Sequence, residues 1–277
     1  MINKILTASL WSLGTVLVAA GVTVFLIAPE KASRKKRVPF SGHNFAHRGL
    51  HEMDRSVPEN SLPAFAAAAS LGYGVELDVH ITSDGELAVF HDSDTKRVCG
   101  VEGVVEDMTW DELSKLRLFG TEYGIPLLSE VLELMGEDCP VIIELKRGNR
   151  NVELCEKTND MMKKYGGRYC IESFDPRIVG WFRCNAPEVL RGQLASDSIE
   201  MAKDTRKLNA FMVGNLLTNF VARPNFIAYG LGRKPFIVKL CGRMGAMRVA
   251  WVAHDNSSEK ANDAVIFEYY RPSAKFK

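Results

Sequence analysis

The sequence predicts an α/β protein whose parallel sheet closes into a (β/α)8 barrel, and three observations support this. Short apolar runs alternate along the chain with longer segments whose apolar residues recur at helical spacing. Strands separated by helices form βαβ units, which build parallel sheets. Nine strand candidates follow residue 40, one more than the eight strands of a barrel. An open doubly wound sheet is the alternative architecture.

The strand candidates are short and rich in β-branched and aromatic residues. In chain order they cover Asn44–His47, Val75–His80, Ala88–His91, Val141–Leu145, Tyr169–Ser173, Val189–Leu194, Phe226–Tyr229, Arg248–Ala253 and Ala264–Tyr269. Amphipathic segments between them include 61–72, 109–118, 127–136 and 151–167. The last of these segments ends in Gly166-Gly167, a pair that is typical of a helix stop.

Composition and charge exclude some classes of function. The 277 residues have a formal net charge of +1, but the first 37 carry six basic side chains and one acidic one. That excess of five leaves the remaining residues with a net charge of −4, so they lack the basic field that nucleic-acid binding requires. The cysteines have no metal-site spacing and are expected to be free thiols; they are Cys99, Cys139, Cys155, Cys170, Cys184 and Cys241.

The first 30 residues are unlike the rest of the chain. No charged residue lies between Ile5 and Pro29, a stretch long enough for a helix across the bilayer core. A cleaved signal peptide is the alternative, although its apolar run is usually only ~7–15 residues long. Five basic residues follow within 31–37 and one precedes the stretch, so the positive-inside rule places the large domain in the cytoplasm. We therefore expect a single-pass membrane anchor over 1–30, a basic juxtamembrane linker over 31–40 and the barrel over 41–277.

Two strand candidates carry acids on one face. Residues i and i+2 of a strand point the same way, so Glu76 and Asp78 share one face, as do Glu144 and Lys146 on another strand. Buried strands normally read as continuous apolar runs, and an uncompensated buried carboxylate is costly. Three carboxylates that converge at the end of a barrel would repel each other unless a cation lay between them. Oxygen ligands of this kind suit Mg²⁺ or Ca²⁺.

Two histidines also end strand candidates. His47 closes NFAH and His91 closes AVFH, and a pair of imidazoles beside a hard metal suits acid/base catalysis near neutral pH. Arg48 offers a planar fork for a phosphate. Taken alone, each of these residues more often has a structural role. A histidine at the end of a strand, for example, is usually a polar group whose hydrogen bonds are satisfied within the fold. It is the combination, at the ends of several apolar strands, that indicates a catalytic site.

The order and spacing of these motifs resemble the glycerophosphodiester phosphodiesterase family. The matching stretches are AHRGLH at 46–51, PENSLPAFAAAASLGYGVELDVHITSDGELAVFHD at 58–92, IPLLSEVLEL at 125–134, VIIELK at 141–146 and ESFDP at 172–176. The resemblance implies a TIM barrel that hydrolyses glycerophosphodiesters to glycerol 3-phosphate and an alcohol with a divalent metal ion, Mg²⁺ or Ca²⁺. By position, it implies metal ligands at Glu76, Asp78 and Glu144 and an acid/base pair at His47 and His91. It also implies phosphate and substrate contacts at Arg48 and Lys146, a metal or substrate contact at Glu59, and an aromatic wall of the substrate site at Trp251.

Two late strands depart from the family pattern. After Trp251 the family usually has Thr and Asn, where this chain has Val252-Ala253-His254. The last strand usually has Thr-Asp, where this chain has Phe267-Glu268. Both departures bear on the substrate side of the barrel and keep two alternatives open. One is cleavage of lysophospholipid headgroups in the manner of a phospholipase D, and the other is a catalytically silent barrel that binds lipid or a partner. His80 shares a face with the first acid pair, but we expect it at the rim and not as a ligand.

Overall fold

The computed structural model describes residues 2–203, 205–232 and 234–276, with the side chains of the first helix described from residue 14 onward. All nine predicted strands are present, and their ends differ from the prediction by no more than two residues. The strands are β1 Asn44–His47, β2 Gly74–Ile81, β3 Leu87–Val89, β4 Val141–Leu145, β5 Tyr169–Ser173, β6 Arg191–Ala195, β7 Phe226–Gly230, β8 Met247–Ala253 and β9 Ala264–Phe267.

Eight of these strands close into a parallel barrel. β1 pairs with both β2 and β9, and the ring continues through β4, β5, β6, β7 and β8. The surplus strand, β3, is antiparallel to β2 and takes no part in the ring. It is the second arm of a hairpin that turns at Asp84-Gly85, where Gly85 adopts a φ of +87° that favours glycine. Closure excludes the open doubly wound sheet, because that architecture leaves two edge strands.

Several helices pack against the outer face of the ring. The α-helices are α1 Ile2–Ile27, α2 Arg34–Arg37, α3 Leu62–Ser70, α4 Lys96–Cys99, α5 Trp110–Leu113, α6 Leu128–Met135, α7 Asn151–Met162, α8 Pro176–Asn185, α9 Ser198–Met201, α10 Lys207–Gly214, α11 Asn219–Ala222 and α12 Phe236–Arg243. Ser61 and Asp175 cap α3 and α8 through their side chains, each with a proline in the first turn that follows. The helix predicted over 109–118 is shorter than expected and ends at Leu113.

Side chains alternate between the outside and the inside of the ring. On β4, Val141, Ile143 and Leu145 pack outward with residues of the surrounding helices. Ile142, between them, belongs instead to the interior cluster, and Glu144 points the same way as Ile142. The strict two-residue period of a barrel strand therefore turns the acids of the strands into the barrel.

The interior is filled at the amino-terminal ends of the strands by large residues set beside glycines. Phe45 lies in register with Gly74, and Phe226 with Gly192. A Cβ at Gly74 would lie 2.4 Å from the Phe45 ring, and one at Gly192 would lie 2.0 Å from the Phe226 ring. The two glycines leave the space that the phenylalanine rings occupy.

The amino-terminal end of the barrel, here called the floor, is closed by residues 27–42. Ala32 and Phe40 are buried in the interior cluster. Arg191, at the start of β6, is 0% exposed, and its Nη2 donates to Oε2 of Glu30 at 2.7 Å. Asn219 Nδ2 donates to the carbonyl of the last residue of α1 at 2.9 Å. The segment that was expected to be a linker thus contributes side chains to the core of the barrel.

The predicted membrane anchor coincides with α1, and much of it lies outside the described side chains. Within the part of the chain that the structure describes, no helix is long and apolar enough to cross a membrane. The anchor therefore stays a prediction.

Candidate active site

Carboxylates from two neighbouring strands converge at the carboxyl-terminal end of the barrel, here called the mouth. Asp78 of β2 lies in register with Glu144 of β4, and Glu76 lies two residues earlier on β2. One oxygen of each carboxylate lies within 4.8 Å of the others, and all three side chains are buried. We call these three residues the carboxylate cluster. The apolar residues that alternate with them face the helices, which turns the acids inward.

Two cationic residues lie against the carboxylate cluster. Lys146 Nζ donates to Glu144 Oε1 at 2.8 Å and to Asp78 Oδ1 at 3.1 Å. The backbone N–H of Arg48 donates to Glu76 Oε2 at 3.1 Å, and its guanidinium Nε lies 3.4 Å from Asp78 Oδ2. Burial raises the pKa of Asp78, but the charges of Lys146 and Arg48 outweigh burial and hold this pKa well below its ordinary value. Burial and the neighbouring acids raise the pKa of Glu76 well above its ordinary value.

A fourth buried acid, Glu172, is absent from the sequence-based assignment of roles. It lies on β5 in register with Glu144 and is 1% exposed. Its Oε2 has no hydrogen-bond partner among the described residues. Burial, followed by the charge of Glu144, raises its pKa well above the ordinary value. The sequence does indicate that Glu172 faces the same way as Glu144. Glu172 is the fourth residue of the strand YCIES, and Glu144 is the fourth residue of the strand VIIEL.

This donor set fits a hard divalent cation. All the donors are carboxylate oxygens, which Mg²⁺ and Ca²⁺ prefer. Lys146 and Arg48 are the only lysine and arginine paired with the four buried carboxylates among the described residues. Burial together with this surplus of negative charge raises the pKa of three of the acids. A divalent cation would offset that surplus. The residues placed to hold it are Glu76, Asp78 and Glu144.

Both predicted acid/base histidines are bound at Nδ1 by a carboxylate. His47 Nδ1 lies 2.9 Å from Glu268 Oε2, and its Nε2 lies 4.0 Å from Glu76 Oε2. His91 Nδ1 lies 2.6 Å from Asp92 Oδ1. Because the carboxylate accepts a hydrogen bond from Nδ1–H, the single proton of each neutral ring lies on Nδ1. The Nε2 atom of the neutral ring is therefore unprotonated. Burial lowers the pKa of His47 to about 4, which keeps its ring neutral near pH 7.

Sequence reasoning missed the two carboxylates that hold these rings. Asp92 directly follows His91, so a dyad of adjacent residues was visible in the sequence. In the sequence, Glu268 stands out only as a departure from the family pattern. Its partner His47 is 221 residues away, and no local pattern relates the two.

An ion-pair chain joins the two sides of the mouth. Glu59 Oε1 accepts from Arg48 at 2.8 Å and from Arg97 at 2.8 Å, and Arg97 Nε donates to Asp92 Oδ2 at 2.6 Å. Burial raises the pKa of Glu59, but Arg97 and Arg48 outweigh burial and lower it. Glu59, assigned to substrate by resemblance, is thus placed where it holds Arg48. Arg48 has a φ of +53°, an uncommon conformation for a residue other than glycine.

A cavity of about 390 Å³ opens beside the carboxylate cluster. Trp251, assigned to the wall by resemblance, packs edge-on against Phe174 with ring centroids 5.6 Å apart. Its Nε1 donates to the carbonyl of Ala228 at 3.1 Å, so the indole supports the aromatic side of the cavity. The lining of the cavity includes His91, Glu144, Lys146 and Phe174.

His80 lies deeper than expected. It is buried where β3 covers β2, opposite Ala88 in the hairpin, and its Nε2 lies 3.2 Å from the carbonyl oxygen of His91. Burial, followed by the charge of Lys146, lowers its pKa to about 4. His80 therefore lines the cavity at the mouth as a buried side chain, and it lies outside the carboxylate cluster, as expected.

The closed (β/α)8 barrel, with a carboxylate cluster and two carboxylate-bound histidines at its mouth, defines a TIM-barrel protein whose buried donor set is compatible with a divalent metal ion. Residues 47–263 match the model of the glycerophosphoryl diester phosphodiesterase family. The chain belongs to that family.

Three relatives illustrate the similarity in sequence. A glycerophosphodiester phosphodiesterase of Caldanaerobacter subterraneus subsp. tengcongensis is 45% identical over 111 residues, which are 37% of this chain and 44% of the relative. One of Bacillus altitudinis is 34% identical over 56% of this chain and 67% of the relative. Lysophospholipase D GDPD1 of Rattus norvegicus is 35% identical over 52% of this chain and 49% of the relative. The matched part therefore spans between 44% and 67% of the length of these relatives.

Solved structures show the same fold. A phosphodiesterase of Oleispira antarctica in complex with the product sn-glycerol-3-phosphate has a TM-score of 0.66 and 20% identity, covering 82% of this chain and 93% of that one. A glycerophosphodiester phosphodiesterase of Parabacteroides distasonis has a TM-score of 0.63 and 23% identity over the same shares. At this level of identity the likeness establishes the TIM-barrel fold alone.

Proposed function

We propose that this protein is a divalent-metal-dependent hydrolase that cleaves glycerophosphodiesters to glycerol 3-phosphate and an alcohol. One observation carries the proposal: two imidazoles lie beside one buried carboxylate cluster, and each is fixed at Nδ1 by its own carboxylate. Membership of the phosphodiesterase family supports the reaction class. The product in the Oleispira antarctica complex is the one that this reaction would release.

The histidines would divide the proton transfers between them. The Nε2 of one ring accepts the proton of the glycerol hydroxyl that attacks phosphorus, and the protonated Nε2 of the other donates to the leaving alkoxide. The cyclic phosphate that forms is then opened by water, with the two rings exchanging roles, to give glycerol 3-phosphate. Glu268 and Asp92 keep His47 and His91 oriented through the transfers. Proton transfer from a positioned side chain typically contributes about 10²–10⁴-fold to the rate.

Positive charge at the mouth would bind the phosphate. Arg48 and Lys146 present N–H donors beside the carboxylate cluster, and charge-assisted hydrogen bonds of this kind are strong. A divalent cation, when bound, supplies Lewis-acid stabilisation of the charge on the phosphoryl oxygens. Its proposed ligands are Glu76, Asp78 and Glu144.

Cleavage of lysophospholipids is a second candidate function. The similarity to a relative named lysophospholipase D supports it. Large apolar side chains are also exposed in the segments that follow β6 and β7 at the mouth, where they would suit an acyl chain. They are Ile199, Leu208, Leu231 and Phe236.

A substrate panel with and without EDTA tests these candidates and the catalytically silent alternative together. Glycerophosphocholine and lysophosphatidylcholine are each offered to the full chain with Mg²⁺ or Ca²⁺. We expect hydrolysis that EDTA abolishes and that the variant Glu76→Ala/Asp78→Ala lacks. Glu156→Ala/Asp160→Ala, which removes two exposed acids of α7, is the matched control. Undiminished turnover in the first variant would contradict the mechanism, and no turnover of any substrate by the wild type would favour a silent barrel.

We also propose that the protein is held in the membrane by one span, with the barrel in the cytoplasm. The uncharged stretch from Ile5 to Pro29 and the five basic residues that follow support this orientation. A protease-protection assay on sealed vesicles tests it. Cleavage of the barrel by protease added from the extracytoplasmic side would contradict the orientation.

A further inference from the structure

Glu268, which departs from the family pattern, lies among three histidines at one side of the mouth. Its Oε2 is 2.9 Å from His47 Nδ1 and 3.6 Å from His51 Nε2. Its Oε1 is 4.0 Å from Nε2 of His254. One donor atom each of His47, His51 and Glu268 lies within 4.8 Å of the others. Nitrogen donors distinguish this group from the carboxylate cluster, which offers oxygen alone.

The proposed hydrolysis gives no role to His51. It is 7% exposed, and its Nε2 has no hydrogen-bond partner among the described residues. At 3.6 Å the approach to Glu268 is too long for a hydrogen bond. The ring of Tyr269 packs edge-on against the His51 ring at 5.1 Å and supports it. A buried imidazole nitrogen with no partner is costly, and it points at a carboxylate.

The donors have the chemistry and the spacing of a transition-metal site. Zn²⁺ binds imidazole nitrogen at ≈ 2.0–2.1 Å and carboxylate oxygen at ≈ 2.0–2.2 Å, so tetrahedral ligand atoms lie about 3.4 Å apart. The separations of the two imidazole nitrogens from Glu268 Oε2, 2.9 and 3.6 Å, fall on either side of that value. Two histidines and one glutamate also form known zinc sites that keep an open position. Mixed nitrogen and oxygen donors favour such an ion over Mg²⁺ or Ca²⁺.

We propose that His47, His51 and Glu268 form a second metal site that binds Zn²⁺ and thereby inhibits hydrolysis. The cation takes the place of the Nδ1 proton of His47, and the ring stays a neutral imidazole because it carries a proton at Nε2 instead, exchanged through solvent. With Nε2 protonated, the ring cannot accept the proton of the attacking hydroxyl. The inhibition rests on the role proposed above for His47, whereas the binding of Zn²⁺ does not. His254, on the rim, is placed to offer a fourth donor.

Binding is measured first and independently of activity. Isothermal titration calorimetry is run with Zn²⁺ on the untagged full chain in excess Mg²⁺, which occupies the carboxylate cluster. We expect one equivalent of Zn²⁺ for the wild type and at least ~10-fold weaker binding for His51→Gln. His43→Gln is the matched control, because His43 is equally buried (7%) at the floor end of β1. Glu268→Gln serves as a second ligand variant if His51→Gln does not fold. Co²⁺ replaces Zn²⁺ in a spectroscopic arm, where an absence of thiolate charge-transfer bands excludes the cysteines.

Inhibition is measured second, with glycerophosphocholine as substrate. Zn²⁺ should inhibit the wild type and His43→Gln at the same concentration, and at least ~10-fold more should be needed for His51→Gln, whose uninhibited rate is retained. Equal inhibition of His51→Gln and wild type, or no calorimetric binding to the wild type, would overturn the proposal. If no substrate is turned over, the proposed hydrolysis fails while the calorimetric arm still decides the metal site.

Discussion

The mouth and the floor of the barrel both bury charge, but they balance it differently. At the floor, the guanidinium of Arg191 meets one carboxylate, that of Glu30, at 2.7 Å. At the mouth, Lys146 and Arg48 are the only lysine and arginine paired with the four buried carboxylates among the residues that the structure describes. Balanced buried charge ties two parts of the chain together, whereas a surplus of one sign requires a ligand to offset it. Charge balance, and not burial, therefore distinguishes the structural ion pair at the floor from the group of charges at the mouth that we propose to be functional.

Packing also differs between the floor and the mouth. Phenylalanine rings set beside glycines fill the floor, and residues 27–42 close it from below. The mouth keeps a cavity of about 390 Å³. We expect substitutions at the mouth to change activity and substitutions at the floor to change stability.

Replacing a histidine proposed as the acid or base should give the largest effect. His91→Gln should lower kcat by about 10²–10⁴-fold, because the proton transfer loses its carrier. That loss corresponds to about 3–5 kcal/mol of transition-state stabilisation. The measurement is steady-state hydrolysis of glycerophosphocholine, with the melting temperature as the control for folding. A loss below about tenfold would break the assignment of chemistry to the mouth.

Adding one methyl group at the floor should have the second largest effect, and that effect should be on the free energy of unfolding. Gly192→Ala places a Cβ 2.0 Å from the Phe226 ring, and overpacking of this kind costs about 1–3 kcal/mol. The free energy of unfolding from urea denaturation measures the change, and kcat of the folded fraction should be unaltered. Gly124→Ala is the control, because its new Cβ meets nothing closer than 3.4 Å. Equal stability of the two variants would contradict a filled floor.

Removing the partner of Arg191 should destabilise the floor by a similar or smaller amount. Glu30→Gln leaves a fully buried guanidinium without its carboxylate, at a cost of about 1–3 kcal/mol. Because Glu30 is itself 47% exposed, water can replace part of the lost interaction, and we expect the lower half of that range. Thermal unfolding measures the change. A fall in kcat/KM without a fall in stability would mean that the floor acts on the mouth.

Breaking an exposed ion pair should have the smallest effect. Arg271 and Glu52 pair at 2.6 Å but are 43% and 47% exposed, and exposed pairs contribute about 0–1 kcal/mol. Arg271→Ala should change the free energy of unfolding by less than about 0.5 kcal/mol and leave kcat/KM unchanged. The same denaturation and kinetic assays check it. A large change in the free energy of unfolding or in kcat/KM would show that exposure does not predict how much an ion pair of this protein contributes.

Much of the fold could be predicted because its signals are local. The alternation of residues along β2 and β4 is enough to place Glu76, Asp78 and Glu144 on inward faces. The free state of the cysteines was also predicted correctly. The turn at Asp84-Gly85 that joins β2 to β3 was also predicted correctly. Which of the nine strands stays outside the ring was not predicted, because it depends on pairing between strands that are distant in the chain. The burial of His80 was not predicted either, because it depends on the side chains that surround it in the folded barrel.

The sequence by itself determined the strands, their inward faces and the family, because periodicity and motif spacing are properties of neighbouring residues. Only the tertiary structure decided which distant groups meet. Glu268 reaches His47 across 221 residues, and Glu30 reaches Arg191 across 161. Those contacts exist because β9 pairs with β1 to close the ring and because residues 27–42 fold under it. Ring closure is a long-range event, and it places side chains together that no local pattern relates.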